Sequence, residues 1–296
     1  MSWFSFFGAL EIGLIFSLVA LGVFISFRLL RFPDLTVDGS FPLGGAIGAV
    51  CIASGMDPFL ATLLATLAGA LAGVVTALLN VYLKIMDLLA SILMMIALYS
   101  VNLRIMGRPN IPLIMEPTLF TTLQPDWLAD YIGRPLIMIA IVILAKLALD
   151  AYFATQQGLA IRATGSNPRM ARAQGVNTGA MIILGMAISN GLVGLAGALF
   201  AQTQGGADIS MGIGTIVIGL AAVIVGESIL PSRRIFMLTL AVILGAVVYR
   251  FFIALALNSD FIGLEAQDLN LVTAVLVTIA LVIPLFKQRL ARRRSI

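Results

Sequence analysis

The sequence predicts an all-α fold, a polytopic transmembrane bundle of about nine spans (eight to ten), in a single domain over residues 1–296. Three observations carry this. The chain is 60% hydrophobic and 11% charged, with a mean hydropathy of +1.08, whereas a soluble domain runs nearer a quarter charged. Its apolar residues fall into runs close to the ~20 that cross a bilayer as a helix. Segments of ~10 residues with alternating hydrophobicity, the mark of a transmembrane barrel, are not seen.

In order, the apolar runs cover residues 6–27, 40–56, 58–83, 88–106, 134–153, 179–202, 211–230, 235–257 and 268–286. The first begins MSWFSFFGAL, with no positive n-region and no small-residue cleavage site after it, so it reads as a membrane helix and not a signal peptide. Charge sets the orientation. With the basic tail 287–296 (KQRLARRR and its flanks) in the cytoplasm, counting back leaves Arg28, Arg31, Lys84, Arg162, Arg169, Arg172, Arg233 and Arg234 inside. Only Arg104, Arg108 and Arg134 fall outside, as the positive-inside rule expects. An odd count puts the N-terminus outside; a tenth span, or a re-entrant 33–55, reverses it.

The longest outer loop, 107–133, holds four prolines, which argues against one continuous helix. Its Trp127 and Tyr131 suit an interface belt. Acids gather on the outer side, Asp57, Glu116 and Asp208 among them. Either they dock a basic partner, or translocated loops simply tolerate them. Small residues crowd three spans, as GALAGVVTA (69–77), GLVGLAGALFA (191–201) and GIGTIVIGLAA (212–222). They let helix backbones approach closely.

Composition removes several function classes. Histidine is absent and Cys51 is the single cysteine, so there is no Ser-His-Asp triad, no His-based metal site and no intramolecular disulfide. No Lys follows a Gly, so a Walker A loop is missing. The basic pI reflects inside loops and the tail, not a nucleic-acid surface.

One segment breaks the apolar pattern. Residues 162–179, RATGSNPRMARAQGVNTG, carry three arginines and no acid. Asn167 can cap a helix, Pro168 suits its first position, and Gly175 is a natural stop. About two turns result, too short to span and too short to stand alone. Arg169 and Arg172 share one face, Met170 and Ala173 another. The segment either docks on a partner protein or rests on anionic head groups.

Polar residues inside spans are candidate pathway residues: Asp38 beside Gly39 and Pro42, then Ser189, Asn190 and Gln202. Buried acids are expensive, and helices broken at Gly or Pro mark transporter sites. The alternatives are a capping role for Asp38 and helix-to-helix bonding for the other three. Lys146 and Asp150, four apart, pair with each other.

The run RATGSNPRMARAQGVN, the later AQTQGGADISMGIGTIVIGLAAVIVGES and the early FRLLRFPDLTVDGSFPLGGAIGA together resemble permease subunits of bacterial ABC importers, over most of the chain. They are closest to the branched-chain amino-acid and ribose permease type, in a less characterised branch with some members linked to tryptophan and other aromatic amino acids. The resemblance implies a type II-like permease whose G-x-N-x-x-x-A-x-x-x-G loop, here Gly165, Asn167, Ala171 and Gly175, is the coupling helix that docks on the ATPase. Pro168, Arg169 and Arg172 lie inside it, within a loop spanning about 160–178. It further implies a multi-pass chain in the bacterial inner membrane and a second permease copy. The implied partners are a cytoplasmic ABC ATPase dimer and a periplasmic or extracellular solute-binding protein. ATP and Mg would belong to the ATPase, with no cofactor in this chain. The expected function is import of a small polar organic solute, amino-acid-like by family. The chain itself is then no enzyme. The other class of function is a secondary transporter driven by an ion gradient, which needs buried acids such as Glu11, Asp38 and Asp150.

Overall fold

The computed structural model describes residues 3–124, 129–232 and 234–257, together with Val275 and Thr278. The ninth apolar run apart from those two residues, the basic tail, Trp127 and Arg233 lie outside the described residues.

Eleven α-helices and one π-helical stretch are described, with one pair of short strands. Six are long and apolar enough to cross a membrane: Ser5–Leu29, Pro58–Val81, Asp87–Met106, Tyr131–Ala154, Thr178–Gln204 and Ile235–Leu255. Two further apolar helices, Val37–Ala53 and Thr215–Ile229, are shorter. Every apolar run from the first to the eighth therefore finds a helix, two of them at less than full length. In chain order the helices are α1 (Trp3–Val23), α2 (Val37–Ala53), α3 (Pro58–Val81), α4 (Asp87–Met106), α5 (Leu119–Leu123), α6 (Asp130–Ala154), α7 (Gln156–Ser166), α8 (Pro168–Ala173), α9 (Thr178–Gln204), α10 (Thr215–Ile229) and α11 (Ile235–Leu257). The strands β1 (Asn110–Pro112) and β2 (Gly206–Asp208) pair antiparallel. They close one end of the bundle, the end opposite Arg28, Arg162 and Arg172.

Glycine makes the centre. A Cβ on Gly44 of α2 would lie 2.0 Å from the Gly194 carbonyl oxygen, and one on Gly73 of α3 would lie 2.2 Å from that of Met186. Helices α2 and α3 thus lie backbone-to-backbone on α9, as the small-residue runs lead one to expect. With no hydrophobic force between helices in lipid, this close contact and the polar links across it hold them together.

Pairings along α9 give the relative depths. Thr62 of α3 meets Gln202 and Gly73 meets Met186, so α3 runs antiparallel to α9. On α2, Ser40 meets Asn190 and Gly48 meets Ala198, so α2 runs parallel to it. Yet Ser40, in the first turn of α2, is level with Asn190, the thirteenth of the 27 residues of α9, which puts the start of α2 about 14 Å from the basic end. Helix α2 therefore begins inside the bundle.

The chain reaches that point by a sharp return. α1 continues into a π-helical stretch, Phe24–Leu29, a form that tends to mark functional irregularities. Arg31 takes φ +58°, a left-handed conformation uncommon outside glycine. Residues 32–36 then run back into the bundle. The Asp34 carboxylate accepts the Thr36 N–H at 3.0 Å, a local turn that sets up the first turn of α2.

Candidate functional site

Helix α10 also begins inside the bundle. Its N-cap is Gly214, at φ +82°, which has no side chain to satisfy the first N–H groups. Asp38, in the first turn of α2, does so instead. Its carboxylate accepts the Ile216 N–H at 2.8 Å and the Gly214 N–H at 3.3 Å. A cap normally comes from the helix's own N-terminal residue; here it crosses between elements 176 residues apart. Pro42 helps to bring them together. Lacking an N–H, it leaves the Asp38 carbonyl without its helical donor, and Gly212 packs on that spot. A Cβ on Gly212 would lie 2.1 Å from the Asp38 carbonyl oxygen and 2.5 Å from Pro42 Cδ.

From this meeting point α2 runs toward the hairpin end. α10 runs toward the basic end, where Glu227 pairs with Arg28 at 2.6 Å. Two interrupted helices thus present their N-termini to one place within the bundle, which is how transporter sites are commonly built. A cavity of about 630 Å³ opens beside it. Its wall is Asp38, Gly39 and Pro42 of α2, one face of α4 bearing Met95, Tyr99 and Asn102, and Ile213 before α10. Ile96 and Tyr99 are themselves exposed, so the cavity is open on the α4 side.

Of the four residues that the sequence offers for a pathway, only Asp38 lines this cavity. Asn190 is fully buried; it donates to Asp34 at 2.7 Å and to the Met186 carbonyl at 3.3 Å, and accepts from Ser40 at 2.7 Å. Thr36 extends the cluster to Thr76 of α3 at 2.9 Å. Ser189 donates to the Gly22 carbonyl of α1 at 2.7 Å. Gln202 donates to Thr62 and accepts the Leu119 N–H, at 2.9 and 2.8 Å. All three tie helices together. Asp38 unites the two readings that the sequence leaves open, since it both caps a helix and faces a cavity. Asn102, like Ser189 and Asn190, is a polar residue within a span that the sequence leaves open between a pore and a helix contact; Tyr99 was not singled out, though the i, i+3 spacing places the two on one helix face. Lys146 pairs with Asp150, which also accepts from Thr239 of α11 at 2.8 Å.

The basic end carries the other candidate. Helix α8 spans Pro168–Ala173, with the Asn167 side chain accepting the Met170 N–H at 3.1 Å. Gly175 stops it at φ +82°, and the Val176 N–H closes on the Ala171 carbonyl at 3.0 Å. Arg169, Met170 and Arg172 are exposed; Ala171 is buried. Gly165 does not border α8. It sits in the last turn of α7, a helix the sequence reading had absorbed into the loop, and a Cβ there would lie 1.7 Å from the Leu29 carbonyl oxygen. That contact seats α7 on the π-helical stretch. Beside it a cavity of about 1090 Å³ is lined by Arg28, Arg31, Arg162, Ser166 and Glu227.

With this geometry in view, known proteins decide the family. The family model for the branched-chain amino acid transport system, permease component, matches residues 5–283. The chain belongs to that family. It is 40% identical over 264 residues to a tyrosine transport system permease protein of Clostridioides difficile, covering 89% of this chain and 86% of that one. An uncharacterized protein of Rickettsia prowazekii is 36% identical over 283 residues, covering 92% of this chain and 95% of its own length. The galactofuranose transporter permease protein YtfT of Escherichia coli is 28% identical over 259 residues, covering 84% of this chain and 71% of the relative. Among solved structures, one described as an inward-facing conformation of a metal-chelate type ABC transporter aligns with TM-score 0.51 at 15% identity, over 96% of this chain and 86% of that chain. At that identity the likeness speaks for the fold alone. This ABC transporter permease is therefore a multi-pass membrane protein with the fold of its class.

Proposed function

We propose that this permease imports a small amino-acid-like solute through the cavity at Asp38, driven by a separate ATPase that docks on α8. The observation that carries the reading is the meeting of α2 and α10 at Asp38, beside an open cavity deep in the bundle. The relative named for tyrosine transport supports an amino-acid-like solute. A second copy of the chain would cover the open α4 side. A solute-binding protein would deliver at the hairpin end, and the ATPase dimer, with its ATP and Mg, would hold the basic, cytoplasmic end in the bacterial inner membrane.

The route for movement is short. α8 continues from α7, and α7 is seated by Gly165 on the π-helical end of α1. Residues 32–36 follow directly and lead into Asp38. A push on α8 therefore reaches the junction that forms one wall of the cavity, without crossing the rest of the bundle.

The test is reconstitution in liposomes with a candidate ATPase and binding protein. The expected result is ATP hydrolysis that rises with loaded binding protein, and uptake that follows it. Asn167→Pro should insert normally and lose uptake, because Asn167 sits at φ −151°, which a proline ring forbids. Uptake driven by a proton or sodium gradient with no ATPase bound would overturn the reading.

A further inference from the structure

We propose that Asp38 and Asn102 form a subsite for an ammonium group, so that the solute passing this cavity carries a primary amine on an apolar or aromatic body. The inference rests on the permease reading above and adds what the site recognises.

The polar groups facing the cavity leave acceptors unused. Asn102 is 1% exposed. Its amide donates to the Gly39 carbonyl at 3.1 Å, while its own carbonyl oxygen is buried without a partner among the described residues. Buried polar atoms are nearly always paired, and an exception asks for a reason. Asp38 offers the second acceptor. Its carboxylate has about four lone-pair sites, and two backbone N–H groups use two of them. Both residues line the same cavity, and Asn102 is fastened to the residue that follows Asp38.

Among the described residues no Lys or Arg lines the cavity. A solute bearing only a carboxylate would meet the Asp38 charge with no cation to offset it. An ammonium group has three donors and a positive charge, enough donors for both acceptors. The rest of the wall is suited to an apolar body. Met95, Ile96 and Tyr99 share a face of α4 opposite Ile213, and the Tyr99 ring offers a surface for an aromatic group to stack on.

The experiment uses the full chain in lipid nanodiscs without its partners. Saturation-transfer NMR is recorded with tyramine (amine only), 3-(4-hydroxyphenyl)propanoate (carboxylate only) and L-tyrosine. Tyramine and L-tyrosine should receive saturation, and the propanoate should not. Asn102→Leu should weaken tyramine binding about tenfold, the range for a lost hydrogen bond to a charged group, and should fold well because it removes the unpaired carbonyl. Asn102→Asp, which keeps the side chain's size, should tighten tyramine binding. Equal saturation by the propanoate, none by any probe, or tyramine binding unchanged in both variants would overturn the subsite. The importer reading fails separately: amine-selective binding in nanodiscs with no ATP-dependent uptake by the reconstituted complex would sink that reading alone.

Discussion

Asn190 shows how much a single side chain holds in this bundle. Both amide hydrogens and the carbonyl are engaged, and its partners belong to the segment leading into α2, to α2 itself and to α9. Asp34 depends on it, because that carboxylate is buried and its other hydrogen-bond partner among the described residues is Thr36. Replacing Asn190 by Leu would keep the volume and leave a buried carboxylate short of a donor. Removing one partner of a buried charge costs about 3 kcal/mol. Ser189→Ala, next to it, gives up one bond to the Gly22 carbonyl and should cost about 1 kcal/mol. Thermal unfolding in detergent, followed by fluorescence, should rank the two in that order. Equal midpoints for Asn190→Leu and the unaltered protein would show that the cluster at Asp34 contributes nothing to stability.

At the scale of elements, the junction of α2 with α10 depends on the missing side chain of Gly212 as much as on Asp38. Gly212→Ala would place a Cβ inside the Asp38 carbonyl, and backbone there has no way to yield except by separation. The Gly214 and Ile216 N–H groups would then lose their acceptor. Loss of a cap is worth about 1 kcal/mol, so amide exchange over residues 214–217 should quicken about fivefold in both Gly212→Ala and Asp38→Ala, read by mass spectrometry. Unchanged exchange in Asp38→Ala would mean that the carboxylate does not cap α10. This junction also marks how far the sequence could be read. The early return into α2 was visible, because Asp38, Gly39 and Pro42 sit together at the start of an apolar run. The late start of α10 was hidden, since Met211–Gly214 is as apolar as a helix and filled out the span at 211–230. Helix α7 was missed for the opposite reason: QQGLAIRATGS is too polar to read as a span, and most of it falls within the loop at about 160–178. The purpose of Asn190 and Gln202 was out of reach for a more basic reason. A polar residue in mid-span looks the same in sequence whether it faces a pore or another helix, and only the partners distinguish them.

For the whole molecule, the proposed docking on α8 raises the question of how a push at the basic end would reach the cavity at Asp38, and the two glycines of the α7–α8 segment separate two answers. If α8 needs only its own shape, Gly175 matters and Gly165 does not. If α7 transmits the movement to α1, the contact between Gly165 and the Leu29 carbonyl is the joint, and an added methyl at 1.7 Å must push α7 off the π-helical stretch. At Gly175 nothing lies within 4 Å of an added Cβ; only the left-handed backbone resists, at a cost of about 1 kcal/mol. In the reconstituted complex, Gly165→Ala should therefore keep ATP hydrolysis and lose uptake at least about tenfold, a loss of coupling worth about 1.4 kcal/mol or more, while Gly175→Ala should keep most of both. The paired measurement of hydrolysis and uptake for each variant decides the matter. If Gly165→Ala transports normally, movement bypasses α7; if both variants fail alike, the joint is α8 itself and the path through residues 32–36 is wrong.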